Sequence, residues 1–321
     1  MPEPTTWDGH TYYGRPQVKS APFNNRLVGS YVFLAGLSGA AQILATLIDL
    51  RRGRVADATV RRGRLLALLA PTIGTGCLIL DLHTPKRFYN MLRVFKATSP
   101  MSLGSWALVG FGAASSLTVM FQFVANRSSW LKWSRAMARV MQIPASLTGG
   151  VLCTYTASLF SATSTPRWAT APKSLAVRYG AASFASAAAA LSLGEGQRRR
   201  ARDLDSIAIT ALAAELAATL GSDNAQRRAD IADEVSITNA ISIAVPIALF
   251  TLSLLLPRRS RFLSSAASLA ALGGSLAMRI GVMEEGDDSA RRPEISMRFA
   301  QPKARVTGVG TPSGERAIMH Q

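Results

Sequence analysis

LVGSYVFLAGLSGAAQILATLID, residues 27–49, decides the fold: it is apolar or small throughout and carries no charge before Asp49. A helix rises about 1.5 Å per residue, so about 20 such residues cross a hydrocarbon core. Blocks of the same kind recur near 65–82, 102–125, 140–161, 174–193, 204–220, 237–256 and 262–283. The expected fold is therefore all-α: a polytopic membrane protein with eight transmembrane helices. An extramembrane tail over 1–26 precedes them, and an extended tail over 284–321 follows, rich in charge and poor in large apolar residues. Residues 1–26 hold no short apolar core of the signal-peptide kind, so the first span is expected to be retained.

The composition agrees once the distribution is considered. The 321 residues are 48% hydrophobic with a net charge of +17. Such a charge suggests nucleic acid when it lines one face, but here the cations sit between apolar blocks, which is membrane topology. Connections one, three, five and seven hold arginine clusters, among them Arg51, Arg52 and Arg54, Arg198 to Arg200, and Arg258 with Arg259. Cations resist translocation, so these connections are expected on the cytoplasmic side of a bacterial inner membrane, with both termini on the periplasmic side.

Only Cys77 and Cys153 are available as thiols, which is too few for an iron–sulfur cluster. Of His10, His83 and His320 only His83 lies near a span, so no intramembrane haem ligand pair exists. No phosphate loop, zinc spacing or nucleophile elbow occurs outside the spans. Any redox centre is expected to be a diffusible cofactor or to lie in a partner subunit.

Ionisable residues at membrane depth are costly, so each marks a candidate site. Asp81 ends the second span six residues before Arg87. The pair either pins that junction or serves a proton relay, and His83 beside it is either a proton carrier or an ordinary interfacial histidine. Glu215 lies mid-span in ITALAAELAATL, and Arg279 in SLAMRIGV is its cationic counterpart by depth. Tyr155 places a phenol in the fourth span, where it donates either to a quinone carbonyl or to a neighbouring helix. Asp49 and Asp205 sit at span ends, where solvation is cheap. Trp106 and Trp168 read as interfacial anchors. Residues 84–98 place Phe88, Leu92 and Phe95 at helical spacing among Lys86, Arg93 and Lys96, which suggests a short interfacial helix.

These residues resemble a known family, the NrfD or polysulfide-reductase type membrane subunits. The likeness is most specific in LDLHTPKRFYNMLRVFKATSPMSLGSW, 80–106. YYGRPQVK (12–19), YTASLFSATSTPRW (155–168) and GGSLAMRIGVMEEG (273–286) corroborate it. His83 and Ala157 stand where the family pattern has glycine. The resemblance implies two four-helix bundles without bound metal and a quinone, menaquinone or ubiquinone, as cofactor. Its implied partners are a four-cluster ferredoxin-like iron–sulfur subunit and a molybdopterin-type catalytic subunit. By the same resemblance Asp81 and Arg87 lie on the proton path, Tyr155 lies near quinone, and Asn24 and Asn25 contribute quinone contacts. All of these segments fall on the face opposite the arginine clusters. A structural anchor without quinone binding, or a small-solute or ion transporter, would also explain the spans. A transporter of the broken-helix kind calls for interrupted helices in corresponding positions, and Pro144 and Pro246 do not correspond.

Overall fold

The computed structural model describes residues 18–19, 23–52, 57–82, 84–127, 132–170, 172–228, 237–256 and 260–300. Among them all regular structure is helical. The long helices are α1 (Asn25–Arg52), α2 (Asp57–Asp81), α3 (Pro100–Arg127), α4 (Lys132–Ser161), α6 (Pro172–Leu193), α7 (Arg198–Arg228), α8 (Ile237–Leu255) and α9 (Arg261–Arg291). A 3-10 helix, Pro85–Leu92, and two short helices, α5 (Pro166–Ala169) and α10 (Pro293–Ala300), complete the fold.

Six helices, α1 to α4, α7 and α9, are long and apolar enough to cross a membrane. The apolar stretch of α8, Asn239–Leu255, is shorter. Helix α6 is not among the six; it carries Lys173 and Arg178, and its Ala182, Ala187, Ala188, Ala189, Ser183 and Ser186 are wholly buried. Small residues let helices approach closely in lipid, where apolarity alone gives helices no reason to associate. The outward surface is apolar instead, with Leu80, Phe123, Leu147, Leu255 and Phe262 exposed. That is the pattern of a surface solvated by lipid rather than water.

α1 packs against α2 and α4, and α3 against α4 and, less extensively, α2. α6 packs against α7 and α9, and α8 lies against both α7 and α9. Helices α1, α4, α6 and α9 join these groups. The crossing of α1 and α4 depends on Gly39 and Gly149, since a Cβ on Gly39 would overlap the Gly149 carbonyl oxygen and one on Gly149 would lie 3.0 Å from that of Gly39.

Three sequence expectations change. Residues 284–291 and 293–300, read as extended, are helical, with extended backbone only at Arg292, while 301–321 lie outside the described residues. The cause is packing: Gly286, Asp287, Ser289 and Ala290 on the last turns of α9 are buried, so the helix continues past its apolar block. Asp49 and Asp205 are not solvated span ends. Asp49 Oδ2 accepts from Arg64 at 3.3 Å and from Gln142 at 3.2 Å and lies 3.4 Å from Arg139. Asp205, fully buried, accepts from Ser192 at 2.5 Å and from Ser264 at 3.1 Å. Over 85–92 the helix is 3-10 rather than α and kinks at Arg87 (φ −105°, ψ 16°), leaving Phe88 and Tyr89 exposed.

Candidate functional site

At the end of the molecule where α1 begins and α2 finishes, helices α1 to α4 enclose a cavity of about 520 Å³. That lies within the range of small-molecule sites, roughly 300–1,000 Å³. Its walls are almost entirely apolar, from Val28, Leu78, Leu108, Leu152, Leu159 and Phe160. One helical turn further in, Ala67 and Phe111 are wholly buried and cluster with Leu152, closing the floor.

Three lining hydroxyls are already committed to their own backbone. Thr75 Oγ1 donates to the Pro71 carbonyl at 2.8 Å, Ser105 Oγ to Met101 at 2.9 Å and Thr163 Oγ1 to Phe160 at 2.7 Å. The other polar lining groups are the Tyr31 and Tyr155 phenols and the Asp81 carboxylate, all three partly buried, with Lys19, Ser164 and Thr165 toward the end segments. Among the described residues no hydrogen bond uses either phenol. Tyr31 is within electrostatic reach of both Tyr155 and Asp81.

Each group is positioned by its neighbours. Asn24 caps α1 through its side chain, Oδ1 accepting from the Arg26 and Leu27 amides at 3.1 and 3.3 Å. This satisfies amides that a first helical turn leaves without intrahelical partners. The Asn24 amide in turn donates to Asp81 Oδ1 at 3.0 Å, tying the end of α2 to the start of α1. Tyr155 lies against Gly104, where any Cβ would overlap its ring. Trp168 on α5 stacks on Phe160 with centroids 4.6 Å apart and donates Nε1–H to the Val282 carbonyl at 2.8 Å. Its indole occupies the space a side chain at Gly286 would take. Trp168 is therefore a buried wall of the cavity, not the interfacial anchor expected, whereas Trp106 is exposed and meets Phe95 edge-on at 6.1 Å.

The structure thus brings Asp81 and Tyr155 to one cavity. Arg87 is exposed on the 3-10 helix, does not line the cavity, and among the described residues forms no ion pair with Asp81. Asn24 and Asn25 do not line it either: Asn24 holds Asp81, and Asn25 Nδ2 donates to Asp287 Oδ2 at 3.0 Å. His83 lies outside the described residues. Glu215 and Arg279 are buried elsewhere, between α6, α7 and α9. They feel each other's charge, but no ion pair joins them among the described residues, and Arg178 acts on Glu215 more strongly. Arg279 donates to the Ser275 carbonyl and hydroxyl, to Ser183 Oγ at 2.8 Å and to the Tyr179 carbonyl at 3.4 Å. Its guanidinium also faces the Phe33 and Tyr179 rings. Sequence reasoning missed Tyr31, although a phenol inside an apolar span is the same signal that marked Tyr155. It also missed Phe160, which nothing in the sequence distinguishes from a core residue.

A flat, largely apolar molecule bearing ring oxygens suits this lining: two phenols can donate to the oxygens, and a carboxylate can exchange a proton with them. Among the described residues no group of three or more His, Cys, Asp or Glu is placed to hold a metal. The protein is similar to the C subunit of polysulfide reductase from Wolinella succinogenes, 38% identical over 89 residues, which is 26% of this sequence and 27% of that one. The matched segment thus spans about a quarter of the relative's length. The family model described as "Polysulphide reductase, NrfD" matches residues 17–220, a span that contains all of α1 to α4 and every cavity residue named above. With well over half of its length matched, the protein belongs to the polysulphide reductase NrfD family.

Proposed function

We propose that this protein is the quinone-handling membrane subunit of a multi-subunit respiratory oxidoreductase. The observation that supports it is the joint lining of one apolar cavity by Asp81, Tyr31 and Tyr155. A bound quinone supplies a two-electron, two-proton couple. Tyr155 and Tyr31 orient its ring oxygens, the Phe160 and Leu152 walls exclude water, and Asp81 at the rim takes up or returns the two protons one after the other. His83, close to Asp81 in sequence, exchanges these protons with solvent, and the Arg87 guanidinium, always charged, lies on that path as a fixed positive charge. Asn24 acts through Asp81 rather than on the quinone, and Asn25 through Asp287.

In this reading α1 to α4 and α6 to α9 make eight crossings in two four-helix groups, α6 qualifying because its polar residues face other helices. The arginine clusters face the cytoplasm and the cavity end faces the periplasm. An iron–sulfur partner of the four-cluster ferredoxin-like kind seats on the 84–98 and 162–173 segments and passes electrons to or from a molybdopterin-type catalytic subunit. The relative's designation by a letter, as one component of a reductase, fits a complex of several polypeptides. Glu215 and Arg279 serve secondarily, in charge movement.

The test is Asp81→Asn in the assembled complex. Loss of a general acid–base group lowers turnover by about 10²–10⁴-fold, while assembly and quinone-analogue affinity persist. Unaltered turnover removes Asp81 from the mechanism. Failure of the unaltered complex to bind any quinone analogue reduces the protein to an anchor.

A further inference from the structure

We propose that α2 and α3 part at the cavity end to form a lipid-facing portal, through which the polyisoprenoid tail of a quinone runs from the cavity into the bilayer. This rests on the quinone reading above and adds the route by which the substrate enters and the part of it that stays outside.

Both helices turn a continuous stripe toward the cavity: Gly74, Thr75 and Leu78 from α2, Met101, Ser105 and Leu108 from α3. The spacings of three and four residues keep each stripe on one face. On this side the lining reaches the surface. Thr75, Leu78, Ser105 and Leu108 are partly exposed and Met101 is 47% exposed. On the opposite wall Val28, Leu152 and Phe160 are at 4 to 5%, and the partly exposed Tyr31, Ala35, Tyr155 and Leu159 also line the cavity. Deeper in the bundle the seam closes, where Ala67 and Phe111 meet without exposure.

The seam also has the chemistry of a lipid passage. The Thr75 and Ser105 hydroxyls are turned back onto their own helices, so among the described residues no hydrogen bond stitches α2 to α3. An opening in hydrocarbon is tolerable only if it leaves no polar group unsatisfied, and these two are satisfied on either side of it. Ile73 and Leu80 on α2 and Leu103 and Val109 on α3, all exposed, continue the apolar surface outward from the gap. The other exposed lining residues, Lys19, Phe23 and Ser164, lie toward the polar end segments. The Lys19 charge there suits contact with water rather than with a hydrocarbon tail.

Trp is introduced at either lip outside the cavity lining, Ile73→Trp or Val109→Trp, in the complex embedded in lipid. Two probes are compared, a long-tailed quinol and a tail-less ring analogue. Affinity for the long-tailed quinol is expected to fall by about tenfold or more, equivalent to about 1.4 kcal/mol of binding. Affinity for the tail-less analogue stays near that of the parent. Equal loss with both probes, or no loss with either, overturns the portal. An independent measurement needs no substitution: a quinone with a photoreactive group on its tail should label α2 and α3 within 74–78 and 101–108. Adducts confined to α1 or α4 overturn the portal while leaving the quinone reading intact. Absence of binding by either probe to the parent complex overturns both.

Discussion

Gly104→Ala is the smallest change that displaces Tyr155. The added methyl would overlap the phenol ring and lie 2.6 Å from its oxygen, where ordinary contact begins at 3.4 Å. The ring must therefore shift by about 1 Å or more, since repulsion rises steeply inside van der Waals contact. Gly104 is buried on α3, so the open direction for the ring is the cavity it lines. Overpacking of this kind costs about 1–3 kcal/mol, while alanine in place of glycine returns about 1 kcal/mol of helix propensity. The net effect on stability is thus small, at most about 2 kcal/mol, and binding is the sharper readout. A phenol moved off its ligand oxygen forfeits a hydrogen bond worth about 1–1.5 kcal/mol, or roughly tenfold in affinity. Quinone-analogue affinity and melting temperature are measured for Gly104→Ala, Tyr155→Ala and the double variant. With the ring gone the methyl loses the three atoms it would meet first, so the double variant binds as Tyr155→Ala does. In the melt it is about 1 kcal/mol more stable than Tyr155→Ala, and the cycle shows coupling of about 1–3 kcal/mol in stability. Additive effects, or Gly104→Ala with unchanged affinity, would refute the placement of Tyr155 against α3.

Trp168→Phe keeps a ring against Phe160 but removes the Nε1–H bond to Val282. It is expected to destabilise by about 1 kcal/mol in a thermal melt, and an unchanged melt would show that bond to be dispensable. Asp49→Ala strips the buried Arg64 of its carboxylate partner and should cost about 3–5 kcal/mol, whereas Asp49→Leu with Arg64→Met should cost much less; equal losses in denaturation would count against a buried ion pair. At Glu195, in the α6–α7 connection, burial pulls the carboxyl upward. The Thr59 hydroxyl, the Gln197 amide, Arg200 and Arg62 outweigh that and hold it below its ordinary 4.5. A lowered carboxyl contributes stability that is present above the ordinary value and lost as pH falls through the lowered one. The melting temperature should therefore drop on acidification below about pH 4.5, less steeply in Glu195→Gln, and parallel profiles would refute the assignment.

How much was legible can be argued from individual residues. Asp81 and Tyr155 announced themselves because an ionisable or phenolic group in an apolar block is costly wherever it ends up. Tyr31 carried the same signal. The partners of these groups were not legible. Asp81 looked destined for Arg87, six residues away, yet it is held by the Asn24 amide, 57 positions earlier. Asp49 looked like a solvated helix end, yet Arg64 and Gln142 reach it from α2 and α4. Glu215 and Arg279 looked like a pair from depth alone, but depth gives no azimuth. Arg279 is instead spent on Ser183, Ser275 and the Tyr179 carbonyl.

The sequence alone determined that the protein is helical and membrane-spanning, because hydrocarbon leaves no alternative to internally satisfied backbone over runs of that length and apolarity. It also determined the candidate residue types, since their cost in lipid is a property of each side chain. Tertiary structure alone decided which of them share a cavity, that Trp168 is a wall and not an anchor, and that α9 runs on to Arg291. Those outcomes depend on how each helix is rotated about its axis and where glycines such as Gly39, Gly104 and Gly149 allow close approach, and neither is encoded in one-dimensional spacing.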